Sequence, residues 1–580
     1  MSQTEPPLPA PSPTAADKVD RDRRRLIEAQ RSGRRWPTYV RLSGPGWLQS
    51  AITLGGGSLA GALFLGSLAG TTLLWLQLVA IVCGVVMLAA ISHVTLSTGR
   101  RPFEAINTEI NPALGWGWLI ATALANMIWA MPQFSLSYDA LDQNLWPAMT
   151  GNRLGDADQT KWIVTAALLI CAGGIVMLNV RRGTAAKLFD AVLKALIGMV
   201  VLCFFGVVTL LAIEGQLDFT GIAAGFIPDL DVWHRPAGQL RELVASLPTD
   251  KQSYWTSRLV SQQRDVMIAS AATAVGINMT FLLPYSMLAR GWNRPFRGLA
   301  KFDLATGMAI PYVLVTTCVV IAAAMSFHTR VDEALLSDDP AVVRTSGLLM
   351  PITEVLYPQG LQSVAPDATE DQVRDAAAAR VADVPEAERR IAGSLIKRDA
   401  FVLAETLSPL LGQKFSRIIF GLGVLGMGFS TIIILMLING YAFREMTGRP
   451  DDTGPFVVGC LLAGLTGASW VVVWTGGSKF FLAIVASTFG AILLPIAYVT
   501  FFLMMNSVNV LGDDKPQGLT AFVWNVLMIA ALAASIVSAY AAVRGKMETS
   551  PMVGNVILTG LAVYAVLLLV GFAIRRRLPA

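Results

Sequence analysis

The sequence predicts an all-α integral membrane protein with about twelve transmembrane helices. Three observations carry that prediction. Of 580 residues, 54% are apolar and only 15% charged, and mean hydropathy is +0.56, whereas soluble domains are about 45–50% apolar and about a quarter charged. Apolar runs of the roughly 20 residues that cross a bilayer core recur along the chain. Lys and Arg collect in every second short loop, as the positive charge of cytoplasmic loops requires. A monomeric soluble enzyme and a nucleic-acid binder are both excluded; the net charge of +5 is accounted for by the loops.

In chain order, residues 1–40 read as a disordered basic cytosolic tail, Pro-rich at the start and without a signal peptide. The runs follow at Trp47–Gly70, Thr71–Ser97, Leu114–Tyr138, Trp162–Leu178 and Leu188–Ile213, forming a first unit over 41–213. A second unit over 266–505 holds Val266–Leu288, Leu304–Phe327, Ile418–Phe443, Pro455–Trp474 and Phe480–Met505. Leu519–Val543, Val553–Ile574 and a basic C-terminus complete 506–580. Arg21 to Arg41, Arg100/Arg101, Arg181/Arg182/Lys187, Arg290 to Lys301, Arg444/Arg449 and Arg575 to Arg577 all fall on one side if both termini are cytoplasmic. Lipid is the implied partner, and a bacterial inner membrane the expected location.

Two loops on the other side are long. Residues 214–265 carry Leu240, Leu243, Val244 and Leu247 at helical spacing. The insertion 328–414 carries a capping box, Thr369 to Gln372, and a helix running to Pro385. Both read as helical caps.

An ionisable side chain inside a bilayer is the usual pointer to an ion path. The cores of helices 1, 3, 4, 6 and 8–12 contain no Asp, Glu, Lys or Arg. Asp190 and Lys194 on helix 5 stand i,i+4 and read as a local pair. His93, His234 and His328 lie at helix ends or in loops, and Cys83, Cys171, Cys203, Cys318 and Cys460 read as reduced packing residues. What remains are breaks. Helix 1 carries Gly55-Gly56-Gly57-Ser58, and helix 6 carries Gly276-Ile-Asn278-Met-Thr280 with Pro284 beyond. Opened backbone at membrane depth survives only where it lines a protein cavity. Two interrupted helices five spans apart fit an inverted-repeat transporter with its site at the breaks. The competing reading is helix packing, since Gly57/Gly61 and Gly66/Gly70 have GxxxG spacing.

Gly44-Pro45-Gly46, Leu73-Leu74-Trp75, Thr98-Gly99-Arg100, Gly225-Phe226-Ile227-Pro228, Thr406-Leu-Ser-Pro-Leu-Leu-Gly412 and Gly428-Phe429-Ser430-Thr431, in that order, resemble the Nramp divalent-metal transporters. The resemblance spans residues 41 to 505 apart from the two insertions. It implies the LeuT-type fold of the APC superfamily: ten core helices as two inverted five-helix repeats, with helices 1 and 6 broken, plus two more.

The same resemblance places the family's functional residues. Counted from Trp75, its helix-1 Asp-Pro-Gly-Asn falls on Gly55-Gly56-Gly57-Ser58, so the metal-binding carboxylate becomes glycine and the amide serine. Counted from Tyr285-Ser286, its helix-6 Met-Pro-His falls on Asn278-Met279-Thr280. Its acidic proton-path positions on helix 3 fall on Ala130 and Gln133, and its helix-10 glutamine on Ser487 or Ile484. No metal is therefore expected at Gly55, Ser58 or Asn278. The magnesium-transporting branch keeps the Asp and Asn, and does not fit either.

Two readings of substrate stay open. Gly55, Gly56, Gly57, Ser58, Asn278, Met279, Thr280 and Gln133 offer a neutral site for a small neutral or zwitterionic solute, its anionic end on free backbone N–H groups. The resemblance implies a divalent metal ion instead, though a dehydrated divalent cation needs anionic or soft ligands. A non-transporting sensor on a carrier fold is the third reading. No cofactor is expected; if an ion is coupled, Na+ on the hydroxyls of Ser430 and Thr431 is favoured over H+, because the family's acids and histidine are replaced. No P-loop, nucleophile elbow or HExxH is present, so no enzyme is expected.

Overall fold

The structure, a computed structural model, describes residues 15–33, 35–146, 157–180, 184–361, 369–396, 412–449, 452–473 and 482–575. Among the described residues eleven helices are long and apolar enough to cross a membrane, twelve if the bent pair counts as one span. Among the described residues there is no β-strand. Thr406–Leu411, Arg181, Arg182, Trp474, Phe480, Arg576, Arg577 and the first fourteen residues of the expected tail lie outside the described residues.

Helix 1 consists of 1a (Pro45–Thr53) and 1b (Gly56–Ala69), which meet at 51°. Helices 2 (Leu74–Thr98), 3 (Pro112–Asp139), 4 (Ala157–Val180) and 5 (Thr184–Ile213) follow. Helix 6 is interrupted between 6a (Thr249–Ala274) and 6b (Ile277–Ala289). Helix 7 runs over Arg297–Leu304 and Ile310–Phe327, joined by a π-turn at Ala305–Ala309. Helices 8 (Gln413–Met446), 9 (Thr453–Ala468), 10 (Leu482–Asn506), 11 (Gly518–Thr549) and 12 (Pro551–Arg575) complete the bundle. Helix 6 is the centre, with 94% of its apolar window enclosed by protein, and helix 12 is the rim, with none enclosed. Small residues let the inner helices close up: a Cβ at Gly459 would stand 2.4 Å from the Asn439 carbonyl, and one at Gly428 2.4 Å from Ser137 Oγ.

The glycines of helix 1 divide between the two expected roles. Gly61 packs on Ser270 of helix 6a and Gly66 on the Val320 carbonyl of helix 7, as a packing surface requires. Gly55 lies in the break itself. Gly70 ends helix 1b at φ +59°, a conformation that favours glycine.

Three expectations are corrected. The segment 1–40 is not disordered throughout: Ala15–Arg31 and Arg35–Leu42 are helices, because Leu26 and Ala29 bury one face of the first and Gln30 donates to the Pro295 carbonyl (3.2 Å). The loop 214–265 is shorter than expected, because helix 6a begins at Thr249, with Trp255 and Leu259 buried well before the apolar run starts. Asp190 does not pair with Lys194. Arg290, at the end of helix 6b, donates to both its oxygens (2.9 and 3.0 Å); a guanidinium fork suits a carboxylate better than a flexible ammonium one turn away.

Both expected caps are present, and they join. Leu240–Ala245 is helical with Leu240 and Val244 buried. The Thr369/Gln372 capping box opens Glu370–Ala382, and Pro385 starts a further helix, Glu386–Leu395. Buried Glu388 accepts from Trp255 Nε1 (3.0 Å) and pairs with Lys251, tying the second insertion to the start of helix 6a. His328 fastens this cap to helix 1b: Nε2 accepts from the Gln239 N–H (3.2 Å), so Nδ1 carries the proton and donates to the Ser67 carbonyl (3.1 Å). Burial lowers the His328 pKa below its usual value, and the bond to Ser67 only partly opposes this. A group harder to protonate folded than unfolded removes stability as pH falls through its unfolded pKa of about 6.5. The thermal midpoint should therefore drop between about pH 7.5 and pH 5.5, and drop less in His328→Gln; equal slopes would show that the histidine is not the titrating group.

Candidate functional site

The site is built where helix 1 opens. Leu54 leaves the helical region and Gly55 is extended (φ −87°, ψ 178°), a backbone any residue adopts. Glycine is demanded by space instead. A Cβ on Gly55 would stand 2.7 Å from Thr431 Oγ1 of helix 8, one on Gly56 2.6 Å from Leu136 of helix 3, and one on Gly57 2.9 Å from Thr273 of helix 6a. Three helices thus press on three consecutive glycines.

Helix 6 opens one step earlier than its sequence predicts. Val275 and Gly276 are extended, and Ile277, Asn278, Met279 and Thr280 already form the first turn of helix 6b. A Cβ on Gly276 would meet the Trp129 ring at 2.5 Å, so the indole of helix 3 covers this break. Trp129 also donates to the Ala486 carbonyl of helix 10 (2.6 Å).

The two breaks expose backbone of both signs. At the start of helix 1b, the Gly56 N–H donates to Gln133 Oε1 (2.9 Å), while those of Gly57 and Ser58 have no partner among the described residues. At the start of helix 6b, the N–H groups of Ile277 and Asn278 are likewise unpaired among them. Each such end carries roughly half a positive charge. Helices 1a and 6a end beside them with carbonyls. The Ala51 carbonyl accepts from Ser430 Oγ (3.2 Å) and Thr431 Oγ1 (3.0 Å), and the Thr53 carbonyl from Ser58 Oγ (2.5 Å).

Of the residues the sequence singles out, Gly55, Gly56, Gly57, Ser58, Gln133, Ser430 and Thr431 come together around the break in helix 1. Asn278 is fully buried, its Oδ1 bound to the Met279 N–H (2.9 Å) and its Nδ2 without a partner among the described residues. Met279 turns toward helix 1a, with Sδ 3.4 Å from Thr53 Oγ1. Thr280 faces helix 3: it accepts from Trp118 Nε1 (2.9 Å) and donates to the Ile277 carbonyl (2.5 Å), which commits its hydroxyl proton. Between the two helix-10 candidates, Ser487 is the one at the site, its Oγ 3.1 Å from a Cβ on Gly57.

Sequence reading missed Thr53, Thr273, Gln49 and Asp303. The first three are neutral polar residues in apolar helices flanking the breaks, and a search for charges passes over them. Gln49, one turn before Thr53 on helix 1a, is fully buried with neither amide atom bonded among the described residues. Asp303 caps helix 1a: it accepts from the Gly44 and Gly46 N–H groups (3.0 and 2.6 Å) and from Ser43 Oγ. It explains the Gly44-Pro45-Gly46 motif, because a Cβ on Gly46 would overlap the Asp303 carbonyl oxygen (2.1 Å) and one on Gly44 the Arg290 guanidinium (2.5 Å). Among the described residues no three of His, Cys, Asp and Glu gather as metal ligands.

The family described as natural resistance-associated macrophage protein-like (Nramp) matches residues 46–339 and 388–575. The match reaches further than the resemblance read from motifs, taking in the first long loop and helices 11 and 12. No curated protein matches the chain. The structure is similar to crystal structures of two mutants of the Eremococcus coleocola manganese transporter. Each has a TM-score of 0.51, with 14% and 15% identity, covering 93% of this chain and 96% of that one. At that identity the likeness shows the fold.

Proposed function

Because the chain belongs to the Nramp family of membrane transporters, with the LeuT-type fold, we propose that it is a secondary-active transporter whose centre takes a small neutral or zwitterionic solute. The observation that carries this reading is the composition of the two breaks. The N–H groups of Gly57, Ser58, Ile277 and Asn278, unpaired among the described residues, suit an anionic group, with the Asn278 amide as a further donor. The carbonyl ends of helices 1a and 6a suit a cationic one. No carboxylate stands among these residues, whereas a dehydrated divalent cation calls for anionic or soft ligands. Met279 Sδ is a soft atom, but Thr53 Oγ1 lies against it.

The second reading is a divalent metal ion, which the likeness to a manganese transporter favours. Carbonyls of helix 1a and the Asn278 amide would then be the ligands.

In the favoured reading, Na+ rather than H+ is the coupled ion. The hydroxyls of Ser430 and Thr431 converge with the Ala51 and Met427 carbonyls, a hard oxygen set of the kind an alkali cation takes. The chain would lie in a bacterial inner membrane with both termini in the cytoplasm, as the basic loops indicate.

Thermal stability of the purified protein should rise with one or more amino acids or small organic solutes. At a hundredfold excess over the dissociation constant the gain is about 2.7 kcal/mol. Asn278→Ala should weaken that shift at least tenfold in ligand concentration. A shift with manganese alone, equally sensitive to Asn278→Ala, would overturn the solute reading in favour of the metal.

A further inference from the structure

Most arginines on the face that carries the N-terminus have a carboxylate of their own. Arg100 pairs with Glu104 and Glu109, Arg101 with Glu445, Arg290 with Asp190, and Arg294 and Arg297 with Asp514. The N-terminal helices differ. Arg25, Arg31, Arg35 and Arg41 are exposed and meet no carboxylate among the described residues. Two large apolar side chains stand out beside them, Trp36 at 71% and Val40 at 65% exposure, one helical turn apart.

The helix Arg35–Leu42 therefore has two faces. Tyr39 and Leu42 pack inward on the bundle. Trp36, Pro37, Val40 and Arg41 point away, with Arg35 at the start. Val40 precedes Trp47, the start of the first apolar run, by seven residues, across a non-helical step at Ser43 and Gly44, so this outward face lies beside the first crossing. A Trp and an aliphatic side chain flanked by unpaired arginines at that depth fit a surface of acyl chains and anionic headgroups.

The seat is mechanically tied to the site. Trp36 and Tyr39 both make edge contacts with Phe302, at 5.3 and 5.4 Å between ring centroids. The next residue, Asp303, holds the start of helix 1a. Helix 1a, nine residues long from Pro45 to Thr53, ends at the break that forms the site.

We propose that the two N-terminal helices are a seat for anionic phospholipid, and that an occupied seat holds helix 1a in the position described here. The proposal rests on the cytoplasmic placement of the N-terminus, not on the identity of the transported solute.

The test is amide hydrogen exchange of the full chain in nanodiscs of phosphatidylcholine, with and without phosphatidylglycerol. Residues 35–53 should exchange roughly tenfold more slowly when the anionic lipid is present. The doubly substituted Arg35→Gln/Arg41→Gln protein should lose that difference while keeping the wild-type thermal midpoint in detergent, since both side chains are exposed. Asp303→Asn should keep the difference over 35–42 and lose it over 45–53. Exchange indifferent to headgroup charge, or a response that survives in the double variant, would overturn the lipid seat. A lipid response confined to 35–42 in the wild type would overturn its coupling to helix 1a.

Discussion

Asp303→Ala should destabilise the protein by about 3 kcal/mol or more and abolish transport. The carboxylate accepts from the Gly44 and Gly46 N–H groups and from the Ser43 hydroxyl, and it is almost entirely buried. Removing it leaves three enclosed donors without an acceptor, each worth about 1–3 kcal/mol when unpaired. It also leaves Arg290, which faces the same corner, with Asp190 as its remaining anion. Asp303→Asn keeps a carbonyl acceptor in nearly the same shape and should recover part of the loss. Thermal midpoints in detergent and hydrogen exchange over 43–53 check both. A wild-type midpoint in Asp303→Ala would mean that helix 1a is held by packing alone.

The importance of Asp303 illustrates which features the chain displays in one dimension. Apolar runs reveal crossings because burial in lipid is a property of about 20 consecutive residues. Twelve of them were legible, and their order placed the breaks in helices 1 and 6. A cap across two helices is a property of residues far apart. Asp303 sits one residue before the apolar run Leu304–Phe327, where a sequence scan treats it as loop. Its partners lie in a glycine motif nearly 260 positions away. Arg290 misled in the same way: the nearer Lys194 satisfies a helical spacing rule, but the bundle brings Arg290 to Asp190 instead.

Polar residues at the site divide along similar lines. Ser58 and Asn278 stand out because they interrupt glycine-rich or apolar stretches. Thr53, Thr273 and Ser487 look like ordinary small packing residues until the break places them around it. The exact opening of helix 6 was unreadable for a further reason. Gly276 is extended and lies against the Trp129 ring, which belongs to helix 3, a neighbour far away in the chain. The N-terminal helices escaped a compositional reading because their charge resembles disorder, while the single buried face around Leu26 that folds them is short.

The substitution Gly55→Ala addresses the largest departure from the family pattern, and its effect should depend on Thr431. The new methyl carbon would lie 2.7 Å from Thr431 Oγ1 and 3.3 Å from its Cγ2. Overpacking of this kind costs about 1–3 kcal/mol, and here it also pushes helix 8 away from the Ala51 carbonyl. Transport should fall at least tenfold. Thr431→Ala removes the two clashing atoms of helix 8 together with one of the two hydroxyls on Ala51, so alone it should leave the fold intact and abolish any dependence on sodium. In the double variant the clash with helix 8 disappears, leaving the Ile52 carbonyl oxygen at 3.0 Å as the remaining tight contact. Its midpoint should lie above that of Gly55→Ala, with a coupling energy of about 1 kcal/mol or more between contacting residues, while sodium dependence stays absent. Additive midpoints would mean that Thr431 does not fill the space beside Gly55. The same contact bears on substrate. If helix 8 occupies the position where the resemblance places a carboxylate, Gly55→Asp adds a charge with no room and should destabilise without conferring manganese binding. Gly55→Asp combined with Thr431→Ala has the room, and is the variant in which a metal response should first appear. A manganese response already present in the wild-type protein would show instead that carbonyls and amides suffice, and that the glycine at position 55 does not exclude the metal.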